Sequence, residues 1–352
     1  MNPFYFSIEI EVKRNSRNTY FFQLGGLSNE IVSQLLPELN YDGPIFDAHT
    51  HAVDKGSLDL LVQIGQEYGI ERTLLIPHIR RVRNHAEKKY PGRFTFARFF
   101  SGSKLSVKGI TDMAKQIEKL LDEGYQILKP QNSPVMRKHV KKGPHSIKFG
   151  DESCEPIFAA LVDNEIPLLL HMSDPNTYYT GKYANRSVYN TKEEDLNELE
   201  TAVARHSDVR FQLAHFAAQP EIDRLSNLAH WLESYPNFNV DTASARWMVR
   251  ELSKDPERSR EFLIKYQDRV VFGTDCVGIF RFKWRTSSRN YYDHRYLALR
   301  LLLETDVRGM PLPFKDKDTT NTGGTLINGL SLPNRVLRKI YWENAVRFYG
   351  EA

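Results

Sequence analysis

The chain has 352 residues, 41% hydrophobic and 26% charged, enough apolar material for one large barrel or two ordinary domains. Its 48 basic and 44 acidic side chains leave a formal charge of +4, too mild and too dispersed to indicate a nucleic-acid partner. Cys154 and Cys276 have neither metal-finger nor disulfide-framework spacing and suggest a reducing compartment. Met1 to Phe6 lacks a basic segment followed by a long apolar core, and no run approaches the length of a membrane span. A cytoplasmic location without a membrane partner is therefore expected.

In chain order, residues 4 to 12 partly alternate apolar and polar, Lys13 to Asn18 is polar, and Thr19 to Leu24 is again apolar-rich. This predicts a β-hairpin, laid with a following helix (residues 1–41) against the body of the protein or a partner subunit, and a homo-oligomer, most simply a dimer. The main domain is expected over residues 42–352. Its first strand candidate, Ile45 to His49, leads into Asp47-Ala48-His49-Thr50-His51. The side-chain period of a strand is two, so both imidazoles face the same way and can grip one metal ion. Alone, such a triplet is more often a pair of ordinary surface histidines.

Further strand candidates are Thr73 to Pro77, Phe94 to Phe100, Tyr125 to Lys129, Pro167 to His171, Arg210 to His215, Phe238 to Thr242 and Val270 to Asp275. Amphipathic helix candidates lie between them, among them Ser57 to Tyr68, Val107 to Asp122, Cys154 to Asn164, Leu196 to His206 and Ile222 to Tyr235. Eight strands alternating with helices predict an α/β fold, a (β/α)8 TIM barrel, with catalytic groups at the C-terminal strand ends. Three of the later apolar runs stop on a metal-competent residue there: His171, His215 and Asp275. Nitrogen and oxygen donors in that number suit a divalent ion such as zinc with one position left open for water. After Asp275 a long excursion, Cys276 to Asn334, precedes a final helix near Arg335 to Tyr349 and is expected to wall the site.

The order of these pieces resembles the amidohydrolase superfamily, in the branch of metal-dependent hydrolases that also contains the aminocarboxymuconate semialdehyde decarboxylase-like enzymes. The matching residues are Asp47 to His51, His171, His215 and Phe272-Gly273-Thr274-Asp275, together with the closing segments Gly329 to Pro333 and Lys339 to Ala345. The resemblance covers about residues 42 to 350 and leaves out the hairpin. It implies that His49, His51, His171 and Asp275 hold the metal and that His215 stands beside it as an electrophile or acid/base. A bound divalent cation brings the pKa of its water to about 7. Asp275 is placed to accept that water's proton and His215 to stabilise a developing oxyanion. One tightly bound ion per chain, most simply Zn2+ with Mn2+ or another divalent ion as the alternative, uses every motif residue without requiring a modified lysine.

Lys129 ends the fourth strand candidate. A substrate-binding cation is the first reading for it, a structural lysine the second, and a carboxylated lysine bridging two metals the third. Asp174 either orients the His171 ring or meets substrate, an Asx turn or helix cap being equally open. Arg246 and Trp247 are expected to meet a carboxylate and a ring. Arg80, Arg81 and Arg83, and Arg281, Lys283 and Arg285 among Phe280, Phe282 and Trp284, favour a small anionic substrate, although a charge run is usually a solvated face. Hydrolysis of an ester, lactone or amide, the commoner chemistry of the superfamily, is the expected activity. Non-oxidative decarboxylation of an unsaturated or aromatic carboxylic acid shares the ligands and is the alternative. The intact ligand set argues against a barrel with no catalytic role.

Overall fold

The computed structural model describes residues 12–14, 20–22, 38–101, 107–137, 148–278 and 289–350. Its centre is a parallel sheet of strands β1 (Ile45–Ala52), β2 (Ile70–Pro77), β3 (Phe94–Ser101), β4 (Ile127–Gln131), β5 (Leu168–Leu170), β6 (Phe211–Leu213), β7 (Phe238–Asp241) and β8. Each strand pairs with the next in order. The eighth strand is in two pieces. Val270–Val271 pairs with β7, and Cys276–Gly278 pairs with β1 through Val277 opposite His51. Between the pieces the Ala48 amide donates to the Phe272 carbonyl and the Asp275 amide to the His49 carbonyl, both at 2.8 Å. These bonds close the sheet into the expected (β/α)8 TIM barrel.

The strand alternation sorts side chains into two layers. Phe46, Ala48, Leu74, Ile76, Ala97, Ile127, Leu169 and Val271 fill the barrel interior. Ile45, Leu75, Phe96, Leu128, Leu168 and Leu170 belong to the larger core shared with the helices. Helices lie between the strands, among them Lys55–Glu67, Glu155–Asp163, Lys192–Arg205 and Leu225–Ser234. The first begins where the Asp54 side chain accepts the Ser57 amide, and Lys192–Arg205 begins with a Thr191/Glu194 capping box. These caps fix where the rim loops re-enter helices. Among the described residues no helix is long and apolar enough to cross a membrane.

Three expectations change in detail. The strand expected over Val270 to Asp275 breaks at residues 272–275, where Asp275 takes φ 51°, so the carboxylate leaves the ladder and turns into the mouth. Among its described residues, the excursion after Asp275 carries regular elements. It contains the helix Arg289–Glu304, which is buried on every side from Tyr296 to Glu304, and the antiparallel pair Met310–Pro311 and Leu326–Ile327. It does reach the mouth through Asp316 and Asp318, described below. At the N-terminus, Val12–Arg14 pairs antiparallel with Tyr20–Phe22. The rest of the expected first hairpin strand, and Phe280 to Arg285, lie outside the described residues. Segment 334–349 is helical throughout with a π-helical centre, Lys339–Glu343, and sends Trp342, Val346 and Tyr349 against the barrel interior as a floor.

Candidate metal centre and active-site mouth

His49 and His51 share one face of β1, and both are buried. Asp275 crosses to them from the broken eighth strand, its Oδ1 lying 3.7 Å from His49 Nε2 and 3.4 Å from His51 Nε2. These three residues bring ligand atoms within 4.8 Å of one another, and His49, His215 and Asp241 form a second such group. His171 belongs to neither group, but its ring centre is 4.4 Å from that of His215.

The other ring nitrogens show how the histidines are aimed. His49 Nδ1 is 2.9 Å from Asp241 Oδ2, His51 Nδ1 is 3.0 Å from His78 Nε2, and His171 Nε2 is 3.0 Å from Asp174 Oδ1. A histidine that donates one N–H to an outer partner presents a lone pair on its other nitrogen, the usual arrangement of a metal-bound imidazole. The nitrogens left over are Nε2 of His49, Nε2 of His51 and Nδ1 of His171. Nε2 of His49 and Nε2 of His51 lie with the Asp275 carboxylate in one group of nitrogen and oxygen donors of the kind that holds a divalent ion, and His171 Nδ1 stands outside that group. Burial, helped by the nearby Lys129 charge and neighbouring imidazoles, holds His49 and His51 far below the ordinary histidine pKa, so both are neutral and competent to bind. Burial raises the Asp275 pKa, opposed by Lys129.

Asp174 therefore meets the His171 ring rather than open space. It is 3% exposed, and Tyr183 donates to its second oxygen. Burial alone would raise its pKa, but the His171 and Tyr183 hydrogen bonds prevail and bring it to about 2. Behind it, Lys192 donates to the Asp174 carbonyl at 2.5 Å and to the Ala218 carbonyl, tying the loop after β5 to the turn after β6. That turn is a left-handed run, with φ between 52° and 60° from His215 to Ala218. Left-handed backbone costs on the order of 1 kcal/mol per non-glycine residue and persists only where surrounding contacts hold it. Here it carries the His215 ring to 5.3 Å from His49 and 4.8 Å from Trp247.

Lys129 stands in the middle of β4, which runs two residues beyond the expected strand end, and it is 1% exposed with no hydrogen-bond partner for its Nζ. Burial lowers its pKa, against the pull of Asp275 and Asp241. His215 Nδ1 and Trp247 Nε1 are likewise buried without partners. Aromatic rings stand around these groups: Tyr178 on Trp247 at 5.6 Å, and His78 stacked on Phe99 at 4.7 Å. Arg246 lies at the rim, 6.0 Å above the Trp247 ring, and donates to Tyr178 Oη at 2.6 Å. Asp316 and Asp318 stand 3.7 and 3.9 Å from its guanidinium and are themselves held by buried Arg250. Of the basic cluster after β2, Arg80 and Arg81 are exposed, while Arg83 bonds Glu87 and the Gly124 carbonyl.

Sequence reasoning missed Asp241, His78, Gln212 and Tyr183. Asp241 had the same signal as the named ligands, a polar residue closing the apolar strand β7. Its carboxylate holds His49 Nδ1, accepts the His215 amide at 2.8 Å, and accepts Gln212 Nε2 at 2.7 Å.

No curated protein matches this sequence. The fold is similar to a Staphylococcus aureus protein assigned as an amidohydrolase, with TM-score 0.52 and 11% identity over 87% of this chain and 99% of that one. It is also similar, at TM-score 0.49, to 5-carboxyvanillate decarboxylase from Sphingomonas paucimobilis, with 10% identity over 88% of this chain and 99% of that one. A 2,6-dihydroxybenzoate decarboxylase bound to 2,6-dihydroxybenzoate gives the same score, with 14% identity over 87% of this chain and 98% of that one. The amidohydrolase family model matches residues 114–350, which take in His171, His215, Asp241 and Asp275. That match spans well over half the chain, and with the closed barrel and the histidines gathered at its C-terminal rim it shows that this protein is an enzyme belonging to the amidohydrolase family.

Proposed function

We propose that the enzyme is a metal-dependent, non-oxidative decarboxylase of a planar aromatic or unsaturated carboxylic acid. The observation that carries this reading is the buried, unpartnered ammonium of Lys129, close enough to the ligand cluster to perturb His49 and His51. A buried cation without a partner is costly. An anionic substrate whose oxygens enter beside it removes that cost. The unpartnered Trp247 Nε1 offers a further donor, and the Trp247, Tyr178 and Phe99 rings give flat apolar walls suited to a conjugated ring.

His49, His51, His171 and Asp275 would hold the metal. When bound, a divalent ion supplies Lewis acidity toward substrate oxygens and lowers the pKa of coordinated water. Arg246, braced by Asp316 and Asp318, binds substrate polar groups entering at the rim. Burial and nearby positive charge keep His215 neutral in the free protein. A docked carboxylate brings compensating negative charge and favours the imidazolium. In decarboxylation the bond between the carboxylate and its carbon breaks, carbon dioxide leaves, and the bonding pair stays on that carbon. His215 then delivers the replacing proton.

Hydrolysis, the activity the sequence favoured, is the second reading. The feature that favours it is Asp275, since a carboxylate beside the ligand pair can take a proton from water. The two separate by product. Zinc- and manganese-loaded protein is offered hydroxybenzoic and unsaturated acids in one set, and the related esters, lactones and amides in the other. Carbon dioxide release, with one solvent deuterium incorporated at the vacated carbon, is expected from the acids. Turnover of the esters, lactones or amides alone would establish hydrolysis instead.

A further inference from the structure

We infer that Gln212 and Tyr349 are positioning residues for the His49 ring, joined to it by a chain of hydrogen bonds running through the barrel interior to the final helix. The inference rests on the reading of His49 as a metal ligand. Gln212 is fully buried on β6, among the apolar strands of the barrel. A leucine would fill such a place without needing partners, so a buried amide there calls for a reason.

Its surroundings fix which way the amide faces. The nitrogen lies 2.7 Å from Asp241 Oδ2 and 3.1 Å from the Ala48 carbonyl, both acceptors, so both N–H bonds are used. The amide oxygen is left to accept, and Tyr349 Oη donates to it. Asp241 then receives Gln212 and His49 Nδ1 on one oxygen, and the His215 and Ala243 amides, at 2.8 and 3.2 Å, on the other. The carboxylate cannot rotate without losing a donor. Its fixed position holds His49 in the Nδ1–H tautomer with Nε2 turned toward Asp275. Tyr349 is placed by the floor of the barrel, its ring 6.0 Å from Phe46. The run of bonds is therefore Tyr349 to Gln212 to Asp241 to His49, and it makes the final helix part of the machinery that aims a ligand.

The test compares unaltered protein with His49→Ala, Gln212→Leu, Gln212→Glu and Tyr349→Phe. Zn2+ affinity is measured by chelator competition, and the His49 tautomer in metal-free protein by imidazole 15N NMR. Outer partners of a metal-bound histidine typically change affinity by 10- to 100-fold. The expectation is weakening of about threefold for Tyr349→Phe, about tenfold for Gln212→Leu, and more for Gln212→Glu, which sets a second carboxylate against Asp241. The 15N signals should shift toward a mixture of tautomers in the same order. A purely packing role would leave the tautomer unchanged. Tyr349→Phe keeps the ring and carries the test if the Gln212 variants fail to fold. Unchanged affinity and tautomer in Tyr349→Phe overturn the relay and leave the metal reading standing. Unaltered protein that binds no Zn2+, or binds it no better than His49→Ala, overturns both.

Discussion

At the scale of single residues, the site divides into groups with partners and groups left open. His49, His51 and His171 each have one nitrogen engaged by an outer residue, whereas Lys129 Nζ and His215 Nδ1 have none. On the proposed function, this division separates holding a metal from acting on substrate. Lys129→Met should leave metal content at one ion per chain while raising KM for the acid substrate at least about tenfold, since removing a charge-assisted contact costs about 1.5–3 kcal/mol. Elemental analysis and steady-state kinetics check this, and loss of an ion would instead make Lys129 a metal-bridging group. His215→Asn should likewise keep the metal, with kcat falling by about 100-fold or more, the usual weight of a general acid. If the metal leaves with His215, that residue is a ligand, in line with the geometry that also groups His49, His215 and Asp241.

At the scale of elements, the eighth strand shows how much one backbone position decides. Gly273 sits in its break, where a Cβ would fall 2.9 Å from His49 Cβ and 3.4 Å from His49 N. Neither neighbour is the far end of a flexible side chain, so β1 itself must shift. Gly273→Ala is expected to cost about 1–3 kcal/mol of stability as an overpacked contact. It should also weaken metal binding by displacing His49. Denaturant unfolding and a metal titration on the same sample check both, and a variant with native stability and affinity would refute the close approach. The strand ends were legible because a buried parallel strand is a local apolar run, and its terminal polar residue is visible in the same few letters. The break was not legible, because Asp275 takes a left-handed conformation that its residue type does not announce. Nor were the outer pairings. Asp241 closes its strand as the named ligands do, but its contact with His49 was not visible, because no local pattern marks a hydrogen bond between residues 192 apart.

At the scale of the whole molecule, the site sets how the fold responds to acid. Burial lowers the pKa of His49, His51, His206, His215 and His294, so the folded protein binds fewer protons there than the unfolded chain near pH 6. Each such group makes stability fall as pH drops below the unfolded value of about 6.5, by at most about 1.4 kcal/mol per pH unit. Asp47, raised to about 6 by burial, works in the opposite sense, as do the raised Asp241 and Asp275. Those carboxylates are penalised as pH rises through their folded values, so acidification relieves them. Between pH 6.5 and 5 the histidines outnumber the carboxylates, and metal-free protein should lose a few kcal/mol over that interval. Bound metal stabilises the folded state by mass action but requires deprotonated ligands. The rise in Tm on adding Zn2+ should therefore be larger at pH 7.5 than at pH 5, where protons compete for the Asp275 carboxylate, raised to about 7, while His49 and His51 stay neutral. Calorimetry with and without Zn2+ across this range decides it. A Zn2+ increment that stays constant down to pH 5 would remove Asp275 from its ligand set.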